Sequence, residues 1–206
     1  MTFVRILLFL LLPVISEFSL AKQPTVLVMG DSLSAGYGIQ LEQSWVTLLQ
    51  QELVKSTQSK VINASVSGET SGGGLARLPA LLSKHKPDVV IIELGGNDGL
   101  RGQPINIMQD NLQAMITASQ TVGADVLLAG MQIPPNYGPR YTKQFKETYV
   151  KLAEKNNISL VPFLLENVAA QSNLIQKDGI HPTAEAQPII LKNVLPVLVP
   201  LLKNDK

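Results

Sequence analysis

The chain has 206 residues, of which 45% are hydrophobic and 16% are charged, a composition that fits a globular domain and excludes an intrinsically disordered chain. Lys and Arg number 17 and Asp and Glu 16, and the resulting net charge of +1 gives no electrostatic reason to expect a nucleic-acid partner. There is no cysteine, which excludes a disulfide framework, a lipid-attachment cysteine and a thiol nucleophile.

Residues 1–21 predict an export signal that is removed by cleavage. Arg5 precedes an apolar run over residues 6–15, and Ser19 and Ala21 are small residues suited to a cleavage site. A retained membrane anchor is the alternative, but the run is shorter than the roughly 20 residues of a spanning helix, and Glu17 interrupts its end. We therefore predict a periplasmic or secreted domain over residues 22–206, with no stable membrane insertion once the signal is removed.

From Pro24 onward, short apolar runs alternate with longer amphipathic stretches, which is the pattern of a parallel sheet covered by helices on both faces. The apolar runs predict five strands, at residues 25–29, 61–64, 88–94, 125–129 and 159–162. Apolar residues at helical spacing predict helices around residues 45–54, 75–82, 107–116 and 141–156, with a last helix from about residue 183. No linker or internal repeat divides the chain, so we predict one three-layer α/β/α domain with a five-stranded, mostly parallel sheet.

Two of the predicted helices carry signals for where they end. Asn156 and Asn157 can stop the fourth helix through left-handed backbone conformations. In the last helix, Pro196 and Pro200 each lack a backbone N–H donor, which predicts a kink or an early end.

Short polar blocks follow the predicted strands, at the point where each strand ends. Gly30-Asp31-Ser32-Leu33 follows the first strand, Ser67-Gly68-Glu69-Thr70 the second, Gly96-Asn97-Asp98 the third, and Asp178 to Pro182 come after the last. Because ligands collect at the carboxyl ends of strands in an open parallel sheet, we expect these blocks to share one site.

Ser32 is the candidate nucleophile. It directly follows a buried strand, so its hydroxyl and its own N–H should lie on a tight strand-to-helix turn. A serine that merely caps a helix is the alternative reading of an isolated Gly-Asp-Ser. The motif is not the Gly-x-Ser-x-Gly elbow of α/β-hydrolases, because Ser34 stands where the second glycine would be.

His181 is the candidate base, because a serine hydroxyl needs an imidazole to take its proton. The only other histidine is His85, which the pattern places at a helix end on the opposite edge of the sheet. Asp178, three residues before His181, could orient its Nδ1 and stabilise the imidazolium. A loop with a helix-capping acid is the alternative for this pair.

Gly68 and Asn97 are candidate donors to a negatively charged oxygen. Gly68 would let a backbone N–H approach the substrate, and Asn97 carries a neutral amide at the end of the third strand. Each could instead be an ordinary turn residue.

A metal site and a phosphate-binding loop are both disfavoured. Asp31 and Asp98 can hydrogen-bond N–H groups of their own turns, and Glu93 lies inside a strand, where a structural partner is expected. The run Gly72-Gly73-Gly74 is not followed by the Lys-Ser or Lys-Thr that a P-loop requires. We therefore predict that no metal and no cofactor takes part.

Ser32, Gly68, Asn97 and His181 match, in order, the Ser, Gly, Asn and His blocks that define the SGNH, or GDSL, hydrolase superfamily. The resemblance runs from about residue 25 to about residue 186, and stretches 63–71 and 130–138 resemble its periplasmic acyl-CoA thioesterase, lysophospholipase and arylesterase subgroup. It implies a flavodoxin-like fold and a broad acyl hydrolase with Ser32 as nucleophile, His181 as base and Asp178 as orienting acid. The implied oxyanion hole comprises the N–H groups of Ser32 and Gly68 and the Asn97 side chain.

The resemblance also places two variable loops beside the acyl group of the substrate. Their apolar residues Leu100, Ile133 and Pro134 favour an aliphatic acyl chain on a small-molecule ester or thioester, handled by a monomer. A carbohydrate O-acetyl esterase of the same superfamily is the first alternative. A non-catalytic lipid- or glycan-binding protein that keeps only the fold is the second.

Overall fold

The structure is a computed structural model that describes residues 23–203. The predicted export signal, residues 1–21, lies outside the described residues. The strands are β1 (Thr25–Gly30), β2 (Lys60–Asn63), β3 (Val89–Glu93), β4 (Asp125–Ala129) and β5 (Ser159–Val161). The helices are α1 (Ser32–Ala35), α2 (Trp45–Ser56), α3 (Ser71–His85), α4 (Gly96–Leu100), α5 (Ile105–Thr121), α6 (Pro139–Asn156) and α7 (Gln187–Lys203).

The five strands form one sheet in the order β2-β1-β3-β4-β5. All four strand pairs are parallel, so the predicted five-stranded sheet is confirmed and its parallel character is complete. This order is that of flavodoxin-like sheets. Every residue of β3 is buried, which explains why its sequence is a continuous apolar run and does not alternate.

Helices cover the sheet in two groups, which confirms the three-layer architecture. Helix α2 packs against α7, while α5 packs against both α3 and α6. The core between these layers and the sheet is made of aliphatic side chains from the strands and the inner helix faces, with the fully buried Trp45, Phe145 and Tyr149 as its largest members. Because apolar stripes of the helices face the sheet, their polar sides face solvent.

Helix α6 ends as its sequence predicts. Asn157 follows its last residue with a φ of 50°, in the left-handed region, and its N–H bonds back to the carbonyls of Ala153 and Glu154. Asparagine tolerates this conformation better than most residues do.

Helix α7 does not end early, so that part of the expectation from its two prolines is wrong. The helix continues through Pro196 and Pro200 to Lys203. Both prolines are exposed and lie four residues apart on one face. The carbonyls that lose an N–H partner therefore face solvent, where water can hydrate them.

The chain reverses its direction along the sheet between β1 and β3. Strand β1 lies between β2 and β3, so the loops after β1 and β3 leave a crevice at the carboxyl edge of the sheet. In open α/β sheets, this is where ligands bind.

Candidate active site

Ser32 lies at the carboxyl end of β1, as the first residue of α1. The residue that caps the helix is Asp31, whose side chain accepts a hydrogen bond from the Leu33 N–H at 3.0 Å. Ser32 is therefore not the capping residue, and its hydroxyl is available for other contacts. Gly30 is required before this turn, because a Cβ there would lie 2.5 Å from Glu93 Oε2.

The Ser32 hydroxyl contacts the imidazole of His181. Ser32 Oγ is 2.9 Å from His181 Nε2, although 149 positions separate the two residues in the sequence. His181 Nδ1 is in turn 2.6 Å from Asp178 Oδ2. The three predicted residues thus form a continuous chain of hydrogen bonds, while His85 is the last residue of α3, before β3 begins.

Asp178 holds the His181 loop as well as its ring. Its Oδ1 accepts the backbone N–H groups of Ile180 at 2.9 Å and His181 at 3.0 Å. These backbone bonds, followed by the bond to the imidazole, lower the pKa of Asp178 to about 2. Asp178 is therefore ionised at neutral pH and faces Nδ1 as an acceptor, which leaves Nε2 facing Ser32.

Asn97, on α4, lies between the Ser32 turn and the loop after β2. Its Nδ2 is 2.9 Å from Asp31 Oδ2 and 2.9 Å from the Glu69 carbonyl oxygen. Gly68 precedes Glu69 in an exposed turn with a φ of 78°, a conformation that favours glycine. The Gly68 carbonyl accepts a bond from Arg101 Nη2 at 3.0 Å. Asn97 therefore contacts both the residue before Ser32 and the loop that carries Gly68.

Two carboxyl groups lie beneath the Ser32 turn. Glu93 is fully buried, and its Oε2 accepts the Asp31 N–H at 3.1 Å and the Ser34 hydroxyl at 2.7 Å. Burial, and then repulsion from Asp31, raise the pKa of Glu93 well above its ordinary value. Burial also raises the pKa of Asp31 to about 6. Glu93 is thus a buried structural acid whose hydrogen bonds fix the turn, as expected for a carboxyl group inside a strand.

The other acidic side chains near the site also have protein partners. The sequence suggested that Asp98 accepts hydrogen bonds from N–H groups of its own turn, but its partner is Ser71. Asp98 accepts the Ser71 N–H at 2.8 Å and the Ser71 hydroxyl at 2.6 Å, and so ties α4 to the start of α3. Glu69 forms an ion pair with Arg77. Within residues 23–203, no group of three or more His, Asp or Glu side chains could hold a metal ion.

A cleft of about 640 Å³ opens beside Ser32 and His181. Leu100, Ile133 and Pro134, the residues predicted to border the acyl group, all line it. The segment between β5 and the His181 loop lines it too, and the sequence patterns did not assign this segment a role. Its apolar members in the cleft wall are Phe163, Leu165, Ala169, Ala170 and Ile175. The apolar run 163–165 directly after β5 was the available signal, because loops at that edge surround the site.

The GDSL-like lipase/acylhydrolase family matches the chain over residues 28–188. Esterase TesA of Pseudomonas aeruginosa is 52% identical over 183 residues, which cover 88% of this chain and 91% of that protein. Thioesterase 1/protease 1/lysophospholipase L1 of Escherichia coli K12 is 43% identical over 192 residues, which cover 93% of this chain and 91% of that protein. The crystal structure of the psychrotrophic esterase EstA from Pseudoalteromonas sp., inhibited by monoethylphosphonate, is similar with a TM-score of 0.82 at 46% identity, covering 88% of this chain and 100% of that one. The chain belongs to the GDSL-like lipase/acylhydrolase family.

Proposed function

We propose that this protein hydrolyses carboxylic esters and thioesters of aliphatic acids, with Ser32 as nucleophile, His181 as base and Asp178 as orienting acid. The observation that carries the proposal is the chain of contacts from Asp178 Oδ2 through His181 to Ser32 Oγ, with distances of 2.6 and 2.9 Å, beside an apolar cleft. The names of the relatives, Esterase TesA and Thioesterase 1/protease 1/lysophospholipase L1, support the same reaction class.

The reaction begins when Ser32 Oγ attacks the acyl carbonyl carbon. As the new C–O bond forms, His181 Nε2 takes the hydroxyl proton, and the ionised Asp178 stabilises the resulting imidazolium. His181 then gives this proton to the departing alkoxide or thiolate. Water, activated by the same imidazole, hydrolyses the acyl-serine and releases the acid.

The negative charge that develops on the carbonyl oxygen needs donors that are already in place. The Ser32 N–H lies in the first turn of α1, where backbone N–H groups lack intrahelical acceptors. The Gly68 N–H and Asn97 Nδ2 complete the proposed oxyanion hole. Because Asn97 Nδ2 also contacts Asp31 and Glu69, it shares or exchanges one of these bonds when the oxyanion forms.

The central experiment measures hydrolysis of p-nitrophenyl butyrate by the purified protein and its Ser32→Ala variant. We expect Ser32→Ala to lose at least about 10³-fold in kcat, because the nucleophile is gone. Lys177→Gln, an exposed change in the His181 loop, is the matched control. Full turnover by Ser32→Ala would refute the proposal, as would failure of a fluorophosphonate to label Ser32 in the wild-type protein.

The apolar cleft favours a lipid-like acyl group over the acetyl groups of a carbohydrate. A direct comparison of lysophospholipid with acetylated xylan separates the two substrate classes. Hydrolysis of acetylated xylan alone would assign the protein to the carbohydrate O-acetyl esterases. Binding of either compound without turnover would indicate a non-catalytic binding protein.

We further propose that the protein is exported and that residues 22–206 form the mature, monomeric domain. The signal-like pattern of residues 1–21 supports export. One helical stretch in the described part of the chain, Ala184–Lys203, is long and apolar enough to cross a membrane by length and composition. It contains α7, which packs against α2 and β5, so we assign it to the core of the domain and propose no stable membrane insertion.

A further inference from the structure

The aromatic ring of Tyr37 packs against the imidazole of His181. The two ring centroids are 4.4 Å apart, and the ring planes are inclined at 38°. Tyr37 is 52% exposed, so burial in the core does not explain its place. Its ring adds a third neighbour to His181, besides Ser32 at Nε2 and Asp178 at Nδ1.

The backbone around Tyr37 is fixed relative to the nucleophile. Tyr37 lies between Gly36 and Gly38, whose φ values of 76° and 74° are in the left-handed region. The Tyr37 N–H donates to the Ser32 carbonyl at 3.1 Å. The turn that ends α1 therefore fixes the position of the Tyr37 backbone relative to Ser32.

Gln176 connects this turn to the His181 loop. Its Nε2 donates to the Tyr37 carbonyl and to the Pro182 carbonyl, each at 2.9 Å, and its N–H donates to the His181 carbonyl at 2.7 Å. A side chain at Gly38 would overlap Gln176 Oε1. These three hydrogen bonds of Gln176 thus hold the backbone of Tyr37 and the His181 loop in one arrangement.

The charged groups near the His181 imidazole are the background against which the effect of the Tyr37 ring has to be judged. Asp178 faces Nδ1, Asp31 acts on His181 electrostatically from beneath the turn, and Lys177 is an exposed member of the same loop. An aromatic face attracts a cation within about 6 Å of its centroid and attracts a neutral imidazole less. The Tyr37 ring therefore interacts most strongly with His181 when the imidazole is charged.

We infer that Tyr37 is a positioning residue, whose ring holds the His181 imidazole over Ser32 and stabilises the imidazolium formed when His181 takes the Ser32 proton. This inference rests on the proposed function of Ser32 and His181. The charge that the ring stabilises is present at the tetrahedral stage and absent in the resting enzyme. The contact therefore acts on kcat more than on KM.

The test compares Tyr37→Phe, which keeps the ring, with Tyr37→Leu, which keeps apolar bulk without a ring face. For p-nitrophenyl butyrate, we expect Tyr37→Phe to stay within about twofold of wild type and Tyr37→Leu to lose about two- to fivefold in kcat, with little change in KM. Losing the ring also disfavours the protonated imidazole. The acid limb of the pH-rate profile should therefore move to lower pH by up to about half a unit in Tyr37→Leu.

Leu41→Ala is the matched control, because Leu41 is 57% exposed in the next turn of the chain. Wild-type kcat and an unmoved acid limb in Tyr37→Leu would overturn the inference. An equal loss in Tyr37→Phe would assign the effect to the hydroxyl and overturn it too. If Tyr37→Leu does not fold, Tyr37→Met replaces it in the comparison. All these rates are measured against an active wild type, so a failure of the Ser32→Ala test remains a separate result.

Discussion

Asp31, next to the proposed nucleophile, has surroundings unlike those of an ordinary exposed carboxylate. It is 3% exposed, lies above the buried Glu93, and still accepts hydrogen bonds from Leu33 and Asn97. These bonds keep the Ser32 turn and the Asn97 amide in register with each other. Burial makes this position unfavourable for a charged carboxylate, but its two oxygens accept the hydrogen bonds that join the Ser32 turn to Asn97.

The raised pKa of Asp31 predicts how stability depends on pH. The folded state binds the Asp31 proton more tightly than the unfolded state does, since burial raises the pKa from 3.8 to about 6. The resulting stabilisation is complete below about pH 4 and is lost as pH rises through about 6. Asp31→Asn cannot titrate, so its free energy of unfolding should improve relative to wild type by at least about 1 kcal/mol between pH 4.5 and pH 7.5.

Urea unfolding of both proteins at several pH values measures this difference. The quantity to compare is how the difference in free energy of unfolding between the two proteins changes with pH. Its absolute value is less informative, because Asp31→Asn also weakens the hydrogen bonds that Asp31 accepts, and does so at every pH. Asp110→Asn, an exposed substitution on α5, should show no such trend. A difference between Asp31→Asn and wild type that stays constant from pH 4.5 to pH 7.5 would contradict the prediction.

Among single residues, the sequence predicted the reacting groups better than the residues that hold them in place. Ser32 and His181 could be selected because acyl transfer needs a hydroxyl and an imidazole, and His85 falls at the wrong edge. The contact between Asp31 and Glu93 could not be predicted, because it depends on the pairing of Gly30 with Glu93 across β1 and β3. The contact between Tyr37 and His181 likewise depends on two loops that only the folded chain brings together.

The strands were the most predictable elements, and the shortest helices the least. The central strands β1, β3 and β4 are buried over nearly their whole length, as in a covered parallel sheet, so each appears as a distinct apolar run in the sequence. Helix α4 has the sequence Gly-Asn-Asp-Gly-Leu, whose two glycines disfavour a helix. The hydrogen bonds that the Ser71 N–H and hydroxyl donate to the Asp98 carboxylate hold α4 in place. The cleft-lining segment after β5 has no helical or strand period, so only its apolar run at residues 163–165 and its place after a strand indicate that it borders the site.

Helix α7 offers a test of what its prolines cost. Pro196 lies in the helix interior on the exposed face, where proline is about 3 kcal/mol less favourable than alanine. The loss of chain entropy that proline causes in the unfolded state offsets part of this. We therefore expect Pro196→Ala to raise the free energy of unfolding by about 1–2 kcal/mol in urea titrations.

Pro188 provides the control within the same helix. It is exposed in the first turn of α7, where the fixed φ of proline is tolerated. Pro188→Ala should therefore bring no gain. Equal changes at the two positions would show that the backbone hydrogen bond is not the cause.

The cleft is a property of the whole molecule, since its walls come from loops after β1, β3, β4 and β5. Burial of one methylene contributes about 0.8 kcal/mol, which corresponds to about fourfold in kcat/KM. For p-nitrophenyl esters from acetate to decanoate, we expect kcat/KM to rise by up to that factor per methylene until the cleft is filled.

Ile180 and Ile107 make this dependence testable with a matched pair of variants. Ile180 lines the cleft and is 45% exposed, whereas Ile107 is 48% exposed on α5, away from the cleft wall. Ile180→Ser should reduce kcat/KM for decanoate more than for acetate, and Ile107→Ser should leave the ratio of the two unchanged. A ratio that is insensitive to Ile180→Ser, or no rise with chain length in the wild type, would contradict an acyl-binding role for the cleft.

The 149 positions between Ser32 and His181 also determine when the protein can become active during its own synthesis. A nascent chain that has emerged only as far as β4 contains the nucleophile and the amide of Asn97, but no imidazole at the site. The pair forms only after the loop that precedes the last helix is translated and folded back over the sheet edge. Long-range contacts of this kind form late and slowly. Esterase activity in a cell-free translation reaction should therefore appear only after the His181 loop has been made, and ribosome-stalled fragments that end before this loop should be inert.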